Sequence, residues 1–153
     1  MIHPQKILLA YDASSDSKEA LQWAIDLSLL SRAPLVAVKV EESDLTHRSE
    51  AMFTEGYGTT LYERFVEMRQ LDQEHLKEVV EAGKKKGVTI QTEMLYGHIA
   101  TAILDYAKTN GVDLIVAGSR GQSALEQMLM GSVSQKLLSL SSIPVLVVKA
   151  KND

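Results

Sequence analysis

The chain has 153 residues, 45% of them hydrophobic, and fits one compact domain, residues 1–153, with a sizeable core. Its formal net charge of -4 argues against a nucleic-acid surface, which carries a basic excess; the run Lys84-Lys85-Lys86 is too short to change that and suits a helix end. The absence of cysteine removes disulfide frameworks, thiolate nucleophiles and Cys-based metal sites, and neither a signal peptide nor a membrane span is visible, so the expected location is cytoplasmic.

Lys6-Ile7-Leu8-Leu9-Ala10-Tyr11 is a continuous apolar run of the kind buried on both faces of a parallel sheet. It places Asp12 at the strand's carboxyl end, where open α/β sheets bind ligands. Two roles fit Asp12 equally: a bond to a ribose hydroxyl or a phosphate-held metal, or a turn in which it bonds its own loop. Asp16 with Glu19 reads as a capping box, followed at helical spacing by Ala20, Leu21, Ala24, Leu27 and Leu30. Trp23 reads as cover for core or helix-helix surface. Ala33-Pro34 ends the helix and Leu35 to Val40 forms a second strand.

Glu41 to Gly58 is polar, acidic and unpatterned, a length that in a compact domain suits either a lid or a disordered connection. From about Thr60 the positions Leu61, Phe65, Met68, Leu76, Val79 and Val80 predict a long amphipathic helix stopped by Gly87. His75 falls among charged neighbours and reads as solvated. Val88 to Leu95 alternates apolar with polar, as at a sheet edge. Gly97-His98 opens a further helix closed by Asn110-Gly111, with His98 a loop histidine that has no partner at metal-ligand spacing.

Asp113-Leu114-Ile115-Val116-Ala117 is a fourth strand, and it leads into Gly118-Ser119-Arg120-Gly121 and, nine residues later, Gly131-Ser132-Val133-Ser134. Ser123 with Glu126 reads as a capping box ahead of Leu125, Met128 and Leu129. The glycines let a ligand lie against the backbone or permit positive φ. Ser132 reads as the cap of a new helix whose first amides face outward with partial positive charge, and the hydroxyls of Ser132 and Ser134 add donors. Glycine is 9 of 153 residues, so Gly-x2-Gly-x9-Gly-Ser/Thr arises by chance in about one such chain in a few hundred. A phosphate site is the better reading. Val145 to Lys149 is an almost wholly apolar fifth strand. At a sheet edge it needs cover, most simply from its own copy about a two-fold axis. Five strands alternating with helices predict a three-layer parallel α/β sandwich.

This spacing in this position resembles the ATP-binding signature of the universal stress protein family, and the resemblance extends from Lys6 to Lys149. It implies a Rossmann-like, five-stranded parallel sheet in the order 3-2-1-4-5 with the nucleotide between the ends of strands one and four. It also implies that Asp12 is the family's first-strand aspartate, that Ala10 and Tyr11 line the nucleoside pocket, and that the Val40 backbone bonds adenine. Tyr11 is larger than the residue expected there and changes the pocket's shape. Phosphate and ribose contacts fall on Gly118, Gly121, Gly131, Ser132, Val133 and Ser134, with Ser119 and Arg120 inside the loop. Arg120 suits either a counter-charge to the triphosphate or a solvated side chain. The dimer contact through Val145–Lys149 is implied as well.

The function so expected is an ATP-binding regulatory protein of the stress response, a homodimer with slow or no hydrolysis, its ATP accompanied by Mg²⁺ or Mn²⁺. No Walker lysine follows the glycines and no catalytic constellation is visible. One alternative is an ATP-pyrophosphate-type hydrolase or ligase, but Ala13-Ser14-Ser15-Asp16-Ser17 lacks the glycines that such a phosphate loop requires. The other is a dimeric scaffold that binds no nucleotide.

Overall fold

The computed structural model describes residues 1–42, 59–121 and 130–151. Most of the Glu41 to Gly58 stretch, read as either a lid or a disordered connection, and the capping box of Ser123 and Glu126 lie outside them. The elements run β1 (Ile7–Ala10), α1 (Ser15–Ser31), β2 (Leu35–Glu41), α2 (Thr59–Lys85), β3 (Ile90–Tyr96), α3 (Ile99–Thr109), β4 (Leu114–Gly118), α4 (Ser132–Leu140) and β5 (Val145–Val148). All strands pair in parallel in the order β3-β2-β1-β4-β5.

Side chains alternate across a strand, and here both faces are buried. Ile7, Leu9, Leu35, Ala37 and Val116 meet Ala20, Leu21, Ala24 and Ile25 of α1 and Val79 of α2 on one face. Leu8, Val36, Val38, Ile115 and Ala117 meet Ala100, Ile103 and Ala107 of α3 and Leu137 of α4 on the other. That is why β1 reads as an unbroken apolar run. β3 alternates because it is an edge strand, as expected, and β5 forms the opposite edge.

The start of α1 differs from the expected capping box. Ser14 is the cap, and its side chain accepts from the Ser17 amide at 3.2 Å. Asp16 therefore falls inside the first turn and is buried. Trp23 is 51% and Leu30 83% exposed, so neither serves the core. The buried stripe runs through Ala20, Leu21, Ala24, Ile25 and Ser28, and at about 100° per residue positions 23 and 30 fall on the far side of the helix. The helix ends at Arg32 with φ 61, and α2 stops before Gly87 with φ 79. His75 is not simply solvated, since its Nδ1 lies 3.3 Å from Lys39 Nζ.

β1 stands between β2 and β4, the two neighbours whose crossovers leave on opposite faces. The chain turns away in both directions at this point, and a crevice opens at the carboxyl ends of the strands.

Candidate functional site

A cleft lies at that crevice. Nine of the twelve residues singled out from the sequence line it: Ala10, Tyr11, Asp12, Val40, Gly118, Arg120, Gly121, Val133 and Ser134. Ser119, Gly131 and Ser132 stand behind or beside it. The register explains the convergence, because Ala10 is paired with Val38 on one side and Ala117 on the other.

The backbone of Val40 is placed by the same register. In a parallel strand the amide and carbonyl of one residue point to the same side, and successive residues alternate. The Val38 carbonyl accepts from the Tyr11 amide at 3.0 Å, on the β1 side. The Glu41 carbonyl accepts from Gly97 on the β3 side. Val40 therefore aims its main-chain groups where β1 has already ended at Ala10, at the cleft.

Asp12 makes the self-bonded turn foreseen for it, and it does so at the edge of the cleft. Its Oδ1 accepts from the Ser14 amide at 2.9 Å, the self-bonded turn, and the residue also lines the cleft. A Cβ at Gly121 would stand 3.0 Å from Asp12 Oδ2. Ala13, between the two, has φ 63, left-handed for a residue with a side chain. Tyr11 is 4% exposed. Burial, then the nearby Glu78 and Asp12 carboxylates, push its phenol pKa above 10.0, so it is a neutral wall.

The glycine loop works differently from the simplest expectation. Neither Gly118 nor Gly121 takes positive φ. Gly118 is small to admit α1: a Cβ there would lie 2.7 Å from the Ser17 amide nitrogen and 2.8 Å from the Asp16 carbonyl carbon. Gly131, not Ser132, is the cap of α4, with no side-chain cap bond. Its own amide donates to the Ser119 carbonyl at 2.6 Å. The amides of Ser132, Val133 and Ser134 then open the helix with no intrahelical carbonyl to bond, the arrangement that attracts anions. The Ser134 hydroxyl donates to the Gly118 carbonyl at 2.6 Å, so its proton is not offered to a ligand. Ser132 is exposed and is not part of the lining.

Ser119 is fully buried. Its amide donates to the Val148 carbonyl at 2.7 Å and its hydroxyl to Asp16 Oδ2 at 2.5 Å. The same oxygen accepts from the Arg120 amide at 3.0 Å and Arg120 Nε at 3.3 Å, while Asp16 Oδ1 accepts from the Ala150 amide at 2.9 Å. Burial raises the pKa of this carboxyl. The bonds from Ser119, Ala150 and Arg120, with the Arg120 charge, outweigh burial and hold it below the ordinary 3.8.

Sequence reasoning missed several residues here. Val38, Ile99 and Ile103 form an apolar wall, Ser14 and Ser17 line the α1 side, and Lys39 reaches the cleft from the opposite face. Lys39 Nζ is 2.8 Å from Asp72 Oδ1. A charged residue inside the β2 run was the available signal for Lys39. Asp16 carried none beyond its carboxylate, since its partners are more than one hundred positions away. Among the described residues no group of three His, Cys, Asp or Glu side chains is placed to hold a metal, and no helix is long and apolar enough to cross a membrane.

The universal stress protein family model matches residues 3–149. Universal stress protein YxiE of Bacillus subtilis is 37% identical over 151 residues, covering 94% of this chain and 98% of that protein. Among solved structures, UspA from Lactobacillus plantarum has a TM-score of 0.83 at 22% identity, covering 97% of this chain and 99% of that one. The universal stress protein from Archaeoglobus fulgidus, solved in complex with dAMP, has a TM-score of 0.68 at 21% identity, covering 97% of this chain and 100% of that one. With the fold, the glycine signature and the family match in agreement, the chain belongs to the universal stress protein family.

Proposed function

We propose that this is a cytoplasmic, homodimeric regulatory protein of the stress response that binds an adenine nucleotide, ATP foremost, in the cleft at the ends of β1, β2 and β4. The observation that carries the reading is the convergence of three backbone features on one crevice: the open main chain of Val40, the Gly118–Gly121 loop and the uncapped first turn of α4. The first suits the edge of a base, and the other two suit phosphates. The dAMP held by the Archaeoglobus fulgidus protein supports an adenine nucleotide as the class of ligand.

Asp12 is the one carboxylate in the lining among the described residues, which fits Mg²⁺ held mainly through phosphate oxygens and water. Such an ion would neutralise charge between phosphates. Slow or absent hydrolysis is part of this reading, with the cleft acting as a binding site. The apolar edge strand Val145–Val148 supports pairing with a second copy.

The test is to denature freshly purified protein, identify any released nucleotide against protein concentration, and follow the melting temperature with added ATP and Mg²⁺. Near-stoichiometric nucleotide, or a stabilisation of about 2.7 kcal/mol at 100 times Kd, is expected, and Gly131→Val should abolish it with circular dichroism unchanged. A chain that carries no nucleotide and melts identically with ATP is a scaffold. Sedimentation at micromolar concentration should give twice the monomer mass, and Val147→Lys should halve it.

A further inference from the structure

We propose that Asp16 is a positioning residue for the nucleotide's phosphates, one that never touches them: it locks the Ser119–Arg120 segment and the Arg120 guanidinium at the mouth of the cleft. The inference rests on the nucleotide reading above and adds the part of the fold that sets the geometry of the phosphate loop.

Asp16 is 2% exposed and does not line the cleft. A carboxylate is buried at that depth only when its oxygens are well supplied with donors, and four serve it: Ser119 Oγ, the Arg120 amide, Arg120 Nε and the Ala150 amide. They come from the loop after β4 and from the segment after β5, while Asp16 itself rides on α1. One oxygen, Oδ2, takes both the main chain and the side chain of Arg120. The guanidinium therefore cannot swing away from the cleft without giving up a bond to the oxygen that also anchors its own backbone.

The electrostatics give this role a distinctive sign. A buried anion directly behind an anion site repels phosphate and offsets part of the Arg120 charge. If net charge governed the site, Asp16 would weaken it. Its contribution must come through geometry, and an uncharged isostere separates the two. Asparagine keeps the shape but has one acceptor oxygen, so it cannot serve both the loop and Ala150.

The experiment titrates wild type and Asp16→Asn with ATP plus Mg²⁺ by calorimetry and with adenosine by ligand-observed NMR. Positioning predicts ATP binding weakened about tenfold, the scale of one charge-assisted hydrogen bond, with adenosine within about twofold. ATP bound as tightly or more tightly by the variant overturns the proposal, as does equal weakening of both ligands, the mark of general loosening. If Asp16→Asn does not fold, Ser119→Ala removes one neutral donor and leaves the charge. It should weaken ATP severalfold and spare adenosine, and unchanged ATP binding would again overturn the assignment. A wild type that binds neither ligand fails the nucleotide reading itself, a result distinct from all of these.

Discussion

Gly118→Ala tests the reading of the glycine loop as packing rather than ligand clearance. The added methyl would stand 2.7 Å from the Ser17 amide nitrogen, 2.8 Å from the Asp16 carbonyl carbon and 2.9 Å from Asp16 Cβ, against a comfortable separation of about 3.5 Å. Two of these three atoms are main chain of the first turn of α1, so no rotamer change relieves the contact and the helix end must retreat from β4. Overpacking of this kind costs about 1–3 kcal/mol. The φ of Gly118 is not left-handed, so alanine recovers about 0.4–1 kcal/mol by restricting the unfolded chain. A net loss of about 1 kcal/mol lowers Tm by about 2–4 °C in a chain of this size. Urea denaturation and thermal melting of the ligand-free protein read it directly. Gly131→Ala is the control, because its Cβ would meet nothing nearer than 3.4 Å. A Gly118→Ala variant that melts at or above wild type refutes the reasoning.

Ala13 sits at φ 63, and relief of the left-handed strain should let Ala13→Gly raise stability by about 0.5–1 kcal/mol, measurable by urea denaturation; a drop would mean the turn is not strained. Asp16 has a folded pKa below 3.8, so its contribution is complete above the unfolded pKa and is lost as pH falls through the folded one; wild type should lose stability below about pH 4, and Asp16→Asn should flatten that slope in denaturation curves taken from pH 6 to 2.5. Gly83 packs in α2 with a notional Cβ 2.6 Å from Ile90 Cγ1 and 2.7 Å from the Val88 carbonyl oxygen; Gly83→Ala should therefore destabilise by about 1–2 kcal/mol despite alanine's better helix propensity. Lys39→Met leaves Asp72 without the partner at 2.8 Å, a pair with side chains 12% and 17% exposed, and should cost about 1–2 kcal/mol in the same assay, between the values for surface and buried pairs.

The five strands, the edge character of β3 and the glycine loop were legible because their signals are local, whereas the strand order and the places of Ala10, Tyr11 and Val40 came from the family resemblance; nine of the twelve residues so singled out line the cleft. Apolar runs, stop residues and glycine spacing each act over a few positions. The failures were of two kinds. At helix starts, hydroxyl and carboxyl residues lie close together, as in Ser14, Ser15, Asp16 and Ser17, and which one caps is decided by the preceding turn at Asp12 and Ala13. The same ambiguity moved the α4 cap from Ser132 to Gly131. The second kind is long-range. Whether the hydroxyls of Ser119 and Ser134 face a ligand or the fold depends on Asp16 and Gly118, which the sheet alone brings to them. Side chains that the sequence offers as donors are here spent on holding the loop, so under the proposed reading it is the backbone that would meet the ligand.

The separations in that loop also set an order of events. Asp16 reaches Ser119 across 103 positions and Ala150 across 134, and β1 meets β4 across more than one hundred. Contacts so distant along the chain close late in folding, because the entropy of the intervening loop must be met first. The glycine loop after β4 is thus complete only when the first and last segments have docked on the same sheet. An N-terminal fragment ending before β4 has half a crevice and no loop. A ligand that needs both halves reports completion of the whole chain: its binding energy opposes global unfolding rather than any local opening, and it guards the entire sheet against proteolysis at once.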